Sequence, residues 1–173
     1  MKSLLFILSF LLISVSFYGQ KVNTETTAMQ FYNNGNANFD LKKYAEAIVD
    51  YTKAIELNAN FADAYYNRGT AKNNLNNPKG ALEDYSKAIE LSPTYISAYN
   101  NRAAIKKNLK DYKGAISDYS SAIGIDSTFA AAYFNRGNIE ILIQQKDDGC
   151  RDLRKSLKLG ASKAYESISR YCN

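Results

Sequence analysis

A 34-residue spacing governs most of this 173-residue chain. The segment DYTKAIEL begins at Asp50, and related segments begin at Asp84, Asp118 and Asp152, each 34 residues after the one before. A unit of this length holds about two helices and is too small to bury its own apolar face. The spacing therefore predicts that the chain folds by stacking four copies of one helical hairpin.

The aligned units share small and aromatic residues at fixed positions. We place the units at residues 28–61, 62–95, 96–129 and 130–163. The shared columns are Phe31, Tyr65, Tyr99, Tyr133; Gly35, Gly69, Ala103, Gly137; Ala47, Ala81, Ala115, Gly149; Tyr51, Tyr85, Tyr119, Leu153; and Ala54, Ala88, Ala122, Ser156. Offsets of three, four and seven residues put side chains on one helix face, so each half of a unit predicts an amphipathic helix. In the turn NNPKG, Pro78 suits a first helical turn.

This pattern of aromatic, glycine or alanine, and alanine columns resembles the tetratricopeptide repeat over about residues 28–163. The resemblance implies an all-α fold, a right-handed superhelical solenoid of antiparallel helix pairs. The proline usually found near the end of a repeat occurs only as Pro93, since Ala59 and Ser127 stand at the matching positions. The fourth unit departs further, with Leu153 and Ser156 in place of an aromatic residue and an alanine.

The two ends of the chain differ from the repeats. Residues 1–19 place Lys2 before an apolar run from Leu4 to Phe17, which is the layout of a secretory signal peptide. An uncleaved membrane anchor is the alternative. We assign residues 20–27 to a short linker. Residues 161–173 predict a capping helix that overlaps the end of the fourth unit, because Ala164 and Tyr165 match the start of a first helix and solenoids need covered ends.

The chain has two cysteines and no histidine. With a turn near Gly160, Cys150 lies ten residues before the turn and Cys172 twelve after it, so an antiparallel helix pair brings them level. We expect a disulfide, in keeping with export to an oxidising compartment. Two buried free thiols are the alternative. Two cysteines alone are a poor metal site, so we expect no metal and no cofactor.

One polar column, Asn33, Asn67, Asn101 and Asn135, is not explained by packing. In the family that the chain resembles, this column faces a concave groove and binds the backbone of a peptide, which fits the paired donor and acceptor of a carboxamide. Neighbouring residues extend the predicted peptide-binding site: Tyr32, Tyr66, Asn100, Phe134, Asn36 and Asn138. The alternative is that each asparagine caps a helix or bridges helices within the solenoid.

Some members of this family hold a partner's terminal carboxylate in a clamp that includes basic residues. The matching positions here are Tyr32, Ser97 and Asn101, so we expect an internal peptide segment instead. Arg68, Arg102 and Arg136 each follow a column asparagine, and the hairpin brings each arginine level with the Asp of its own unit and that of the preceding unit. These pairs predict a ladder of ion pairs, with an acidic ligand on the arginines as the alternative.

No enzyme machinery is recognisable, since the chain lacks histidine, a glycine-rich phosphate loop and a nucleophile with a base. The 22 Lys and Arg against 17 Asp and Glu are dispersed, which disfavours a nucleic acid partner. We expect a protein or peptide partner, no membrane span after signal cleavage, and a location in the periplasm, the cell envelope or the extracellular space. The alternative is a structural or assembly component that uses its convex face or edges.

Overall fold

The computed structural model describes residues 25–172, so the predicted signal peptide lies outside the described residues. Residues 25–40 are helical and form α1, which corrects the linker assignment for residues 25–27. The helices that follow are α2 (Tyr44–Leu57), α3 (Ala62–Asn74), α4 (Pro78–Leu91), α5 (Ile96–Asn108), α6 (Tyr112–Ile125), α7 (Ala130–Leu142), α8 (Lys146–Lys158) and α9 (Ala164–Tyr171). We call α1, α3, α5 and α7 the first helices and α2, α4, α6 and α8 the second helices.

The turn inside each hairpin has the same backbone geometry in every unit. A left-handed residue stands two positions before each second helix: Lys42, Asn76, Lys110 and Gln144, with φ of 58°, 58°, 64° and 68°. The left-handed region is unfavourable for most L-residues, because their Cβ approaches the following carbonyl oxygen. Of the four residues, only Asn76 is of a type that is enriched in this region. Pro78 then opens α4, as its fixed φ allows at a first helical position.

The described chain divides into two compact units between Asn77 and Pro78. Unit 1 contains α1 to α3, and its core is built on alanines with tyrosine rings above them. Ala47, Ala54 and Ala64 are fully buried, and so is the ring of Tyr51. A Cβ added at Gly35 would stand 2.6 Å from that ring. The small residues therefore serve as the surface on which the rings lie.

Unit 2 contains α4 to α9 and repeats the same packing. Its central cluster places Tyr119 among the buried residues Ala103, Ala115, Ala122 and Ala132. At the fourth hairpin the departures from the repeat pattern are accommodated. Leu153 is fully buried, and the buried hydroxyl of Ser156 donates to the carbonyl of Ala130 at 3.0 Å.

Two glycines bring α7 and α8 into backbone contact. A Cβ at Gly137 would lie 2.8 Å from the carbonyl oxygen of Gly149, and a Cβ at Gly149 would lie 2.7 Å from the carbonyl oxygen of Gly137. Real Cβ atoms essentially never come that close to such an atom. The pair Gly137 and Gly149 therefore permits an approach that alanine in both columns would prevent.

The last helix, α9, is held against α8 by a disulfide between Cys150 and Cys172. Gly160 makes the preceding turn with φ of +95°, a conformation that glycine adopts without steric cost. Ala164 is fully buried, whereas Tyr165 is 70% exposed. Ala164 and the sulfur bridge therefore help to hold α9 on the end of unit 2, whereas the ring of Tyr165 stays largely exposed.

Residues 25–172 contain helices and turns but no strand, and within each unit consecutive helices pack against one another. The predicted all-α class and the arrangement in antiparallel helix pairs are confirmed. Within the same residues, no helix has both the length and the apolar composition needed to cross a bilayer. That part of the chain also contains no group of His, Cys, Asp and Glu side chains suited to a metal ion.

Candidate functional site

In unit 1 the predicted groove residues are joined by a hydrogen-bonded network. The Nδ2 atom of Asn67 donates to the Oη atom of Tyr32 at 3.0 Å and to the Oδ1 atom of Asn36 at 2.9 Å. The hydroxyl of Tyr51 donates to the same Oδ1 atom at 2.8 Å. Both donors of the Asn67 amide are thus used inside the unit, while its carbonyl oxygen is left as an acceptor.

Two other predicted residues of unit 1 lie at its surface. Asn33 is exposed and borders a cavity of about 580 Å³ along α1, together with Met29. Tyr66 is half-buried in α3, where its backbone carbonyl accepts a hydrogen bond from Thr70. Asn33 is therefore more accessible to a ligand than Asn67.

In unit 2, Asn100 and Asn101 contact one another. The Nδ2 atom of Asn100 donates to the Oδ1 atom of Asn101 at 3.2 Å. The Oδ1 atom of Asn100 is buried and accepts no hydrogen bond within the described residues. A buried acceptor in this state costs about 1 to 3 kcal/mol relative to a paired one. A ligand that donates a hydrogen bond to this oxygen would therefore remove that cost.

Asn135 and Phe134 border a cavity of about 560 Å³ in unit 2. One side of the cavity is the first turn of α7, and the other is the segment from Leu159 to Lys163 that joins α8 to α9. Asn135 is half-buried, and its amide group makes no hydrogen bond among residues 25–172. This position combines an aromatic ring, a free carboxamide and space.

Asn138 is occupied by contacts inside the unit. Its Nδ2 atom donates to the carbonyl of Phe134 at 2.8 Å, and its Oδ1 atom accepts from the hydroxyl of Ser167 at 3.0 Å. Because Ser167 belongs to α9, this hydrogen bond of Asn138 joins α7 to the capping helix α9. This partner was not predictable from the repeat pattern, since α9 departs from the 34-residue spacing.

In unit 2, two of the arginines that follow the asparagine column bind the aspartate of their own hairpin. Arg102 donates from Nε and Nη2 to the carboxylate of Asp118 at 2.9 and 2.7 Å, and Arg136 binds Asp152 in the same way at 2.6 and 3.0 Å. Both aspartates are buried. Hydrogen bonding to Asp152 raises the pKa of Arg136 above its ordinary value. These geometries are bidentate, which is the strong form of this pair.

A hydroxyl column completes the arginine contacts and was missed by the sequence reasoning. The Nη1 atoms of Arg68, Arg102 and Arg136 donate to Thr52, Ser86 and Ser120 at 3.1, 3.0 and 2.8 Å. Each acceptor lies 16 residues before its arginine. The signal was present, because the three hydroxyl residues are themselves 34 apart. Arginines held in this way have a structural role, which disfavours the alternative of an acidic ligand on them.

Glu140 is a second residue that the sequence reasoning missed. It is buried, and its Oε2 atom has no hydrogen-bond partner within the described residues. Burial, and after it the nearby carboxylate of Asp152, raise the pKa of its carboxyl to about 7. The counterpart of Glu140 one 34-residue repeat earlier is Lys106, which pairs with Asp118 at 2.8 Å. The fourth hairpin therefore carries an acid where the third has a base.

Family models match the central part of the chain. A model described as TPR repeat matches residues 35–76, and two models described as tetratricopeptide repeat match residues 62–95 and 85–117. No curated protein sequence is significantly similar to the chain.

Solved structures share the fold. The crystal structure of MamA has a TM-score of 0.75 at 23% identity, over 86% of this chain and 87% of that one. YrrB, described as a TPR protein with an unusual peptide-binding site, has a TM-score of 0.73 at 22% identity, over 96% and 88%. The first TPR of Spaghetti (RPAP3), bound to the HSP90 peptide SRMEEVD, has a TM-score of 0.67 at 26% identity, over 69% and 95%.

Proposed function

This chain is a tetratricopeptide repeat protein, and from that premise we propose that it binds a peptide segment of a partner protein along the faces of its first helices. Such folds commonly mediate protein–protein interactions. The structure of the first TPR of Spaghetti (RPAP3) with an HSP90 peptide supports a peptide as the class of ligand. No enzymatic activity is part of this proposal.

The observation that carries the proposal is the state of Asn135. Its amide makes no hydrogen bond among residues 25–172, and it borders a cavity of about 560 Å³ beside the ring of Phe134. An extended peptide offers one donor and one acceptor per residue, which one carboxamide can pair with at once. The ring supplies apolar contact area for a neighbouring side chain. We therefore assign the main contacts in unit 2 to Asn135 and Phe134, with Asn100 and Asn101 beside them.

Unit 1, taken by itself, offers a separate set of peptide contacts in this proposal. Asn33 is exposed, and the carbonyl oxygen of Asn67 remains as an acceptor. The hydrogen bonds among Asn67, Asn36 and Tyr32 hold these side chains in fixed positions before any ligand arrives. Pre-positioned groups bind with less loss of side-chain entropy. Asn36 and Tyr32 thus act here by positioning Asn67.

We propose that the protein works in the periplasm or cell envelope, or outside the cell. The layout of residues 1–19 supports export. The disulfide between Cys150 and Cys172 is in keeping with an oxidising compartment.

The second candidate is an assembly component that leaves the first-helix faces empty. It is favoured by the internal hydrogen bonds of Asn67 and Asn138, which show that part of the asparagine set stabilises the units themselves. In that case contacts would fall on the second helices, for example at Glu83 or Lys87.

The test uses peptides selected from a random displayed library on the full chain. We would measure their affinity for wild type, for Asn135→Ala with Phe134→Ala, and for Glu83→Gln with Lys87→Gln as the control on a second helix. Circular dichroism would check that all three proteins are equally helical. A loss of about tenfold or more in the first variant alone supports the proposal, since two buried contacts are removed. Equal affinity for all three proteins would overturn it in favour of the assembly role.

A further inference from the structure

The outer face of α8 carries a basic stripe that the other second helices lack. Arg151, Arg154, Lys155 and Lys158 are all exposed, and their offsets of three, four and seven residues put them on one face. The matching positions hold Val49, Thr52, Lys53 and Glu56 in α2; Glu83, Ser86, Lys87 and Glu90 in α4; and Ser117, Ser120, Ser121 and Gly124 in α6. The helix-forming repeat therefore does not require basic residues there.

The stripe lines a cleft and does not lie on a flat surface. The cleft has a volume of about 540 Å³ and is bordered by the four basic residues together with Cys150 and Cys172. Lys146 and Asp147 also border it, and Asp147 is the one acidic side chain among the described residues that line it. The disulfide between Cys150 and Cys172 forms part of its wall. The cleft is thus a strongly basic concavity of lasting shape, on a different helix from the proposed peptide contacts.

Internal partners account for only part of this charge. Arg154 donates one hydrogen bond to the carbonyl of Cys172 at 3.1 Å, and Arg151 pairs with Asp148 at 2.9 Å between exposed side chains. Lys155 and Lys158 form no ion pair among residues 25–172. An exposed pair such as Arg151 with Asp148 is weak and easily exchanged for another carboxylate. At least two positive charges at the cleft, those of Lys155 and Lys158, are therefore in no ion pair with residues 25–172.

We propose that this cleft binds an acidic segment of a protein partner in extended conformation. The stripe from Arg151 to Lys158 spans about 10 Å along the helix, which equals about three residues of an extended chain. A segment with several Asp or Glu residues can place a carboxylate near each basic group. Arginine and lysine in the same cleft would bind such carboxylates through charge-assisted hydrogen bonds.

The structure favours this partner over an anionic membrane surface. A helix that binds a bilayer inserts its apolar face below the headgroups. Most of the apolar face of α8 is not available, because Leu153 is fully buried and Cys150 is 4% exposed, which leaves Leu157 at 36% exposure. Charge complementarity inside a cleft is then the remaining mode of recognition, and it fits a narrow chain better than a flat surface.

The experiment measures binding of a fluorescent oligoglutamate peptide to the full chain by anisotropy, at low and at physiological salt. The test variant is Lys155→Gln with Lys158→Gln, which keeps the Arg154 bond to the cap. The control is Lys107→Gln with Lys113→Gln, which removes the same charge from exposed positions elsewhere in unit 2. We expect about tenfold weaker binding for the test variant and a smaller salt dependence, with the control close to wild type.

Two further probes identify competing partners. Vesicles rich in phosphatidylglycerol and a single-stranded oligonucleotide of similar charge would be added as competitors. Displacement of the peptide by either probe at lower concentration than unlabelled oligoglutamate would overturn the proposal in favour of a membrane or nucleic acid. Equal loss of binding in the test and control variants would also overturn it, because the attraction would then be that of net charge alone.

Discussion

The hydroxyl of Tyr51 donates a hydrogen bond to the Oδ1 atom of Asn36 at 2.8 Å, joining α2 to α1. The same ring position in the third hairpin is Tyr119, whose buried hydroxyl has no partner among residues 25–172. The counterpart of Asn36 two 34-residue repeats later is Ala104, which has no side-chain acceptor. One column thus contains a satisfied and an unsatisfied buried hydroxyl in otherwise similar surroundings.

This contrast predicts opposite effects of one substitution. Tyr51→Phe should lower the free energy of unfolding by about 1 kcal/mol, since a buried hydrogen bond is lost. Tyr119→Phe should raise it by up to about 1 kcal/mol, because an unpaired polar group leaves the core. Urea unfolding followed by circular dichroism measures both. A comparable loss in the two variants would contradict the assignment of an unpaired hydroxyl at Tyr119.

Glu140 predicts a pH-dependent stability. Its folded pKa is about 7, against an ordinary value of 4.5, with Arg136 and Arg151 acting against burial and the carboxylates of Asp152 and Asp148. Between these two values the folded state binds more protons than the unfolded state, so the contribution of this group to stability falls as the pH rises from about 4.5 and levels off above about 7. Glu140→Gln should remove this fall, gaining about 1 to 3 kcal/mol at pH 8 relative to pH 4.5. Parallel stability profiles of wild type and variant from pH 4.5 to 8 would refute the prediction.

A lysine at the same position should do more than remove the acid. In the third hairpin Lys106 lies 2.8 Å from Asp118, and the matching pair in the fourth would be a lysine at 140 with Asp152. Glu140→Lys should therefore exceed Glu140→Gln in stability at pH 8 by up to about 1 kcal/mol. Thermal unfolding of the two variants side by side gives the comparison. A less stable lysine variant would mean that the fourth hairpin cannot reproduce the geometry of the third.

The contact between Gly137 and Gly149 predicts a steric cost. Gly137→Ala should destabilise the protein by about 1 to 3 kcal/mol, because the new Cβ meets a backbone oxygen that cannot move aside alone. Gly124→Ala is the matched control, since nothing lies within 4 Å of its added Cβ. In a helix that change should stabilise by up to about 1 kcal/mol. Opposite signs in chemical unfolding are expected, and equal signs would count against the close approach.

Removal of the disulfide should lower the free energy of unfolding and loosen α9 in particular. Cys150 and Cys172 are 22 residues apart, and closing such a loop contributes about 3 kcal/mol on the chain-entropy account. Cys150→Ala with Cys172→Ser should lose about that amount, and hydrogen exchange should rise chiefly in α9. Reductant should destabilise wild type but leave the double variant unchanged. Unchanged exchange in α9 would show that the cap is held by its other contacts.

The repeat spacing was sufficient to predict the helices, because 34-residue columns of alanine and tyrosine define both faces of each hairpin. It did not identify the left-handed turns at Lys42, Lys110 and Gln144, since lysine and glutamine carry no local preference for that geometry. The helical linker residues were missed because no apolar column extends to them.

The candidate site was predictable as a set of positions but not as a set of contacts. The partners of Asn67 lie 31 and 35 residues away, so they depend on how α3 packs against α1. The choice of Asp118 by Arg102 likewise required the register between α5 and α6, because the sequence offered two aspartates at similar height. Glu140 was missed because its position lies outside the aligned columns of small and aromatic residues.

The bridge between Cys150 and Cys172 makes the chain around Gly160 a covalent ring. A protease that cuts an exposed turn usually releases the piece beyond it, and the turn at Gly160 is exposed. Here the piece beyond the cut would stay attached through the disulfide, and α9 would remain on unit 2 after the backbone is broken. The end of the solenoid is therefore secured by two connections in parallel, and the loss of either one leaves the other in place.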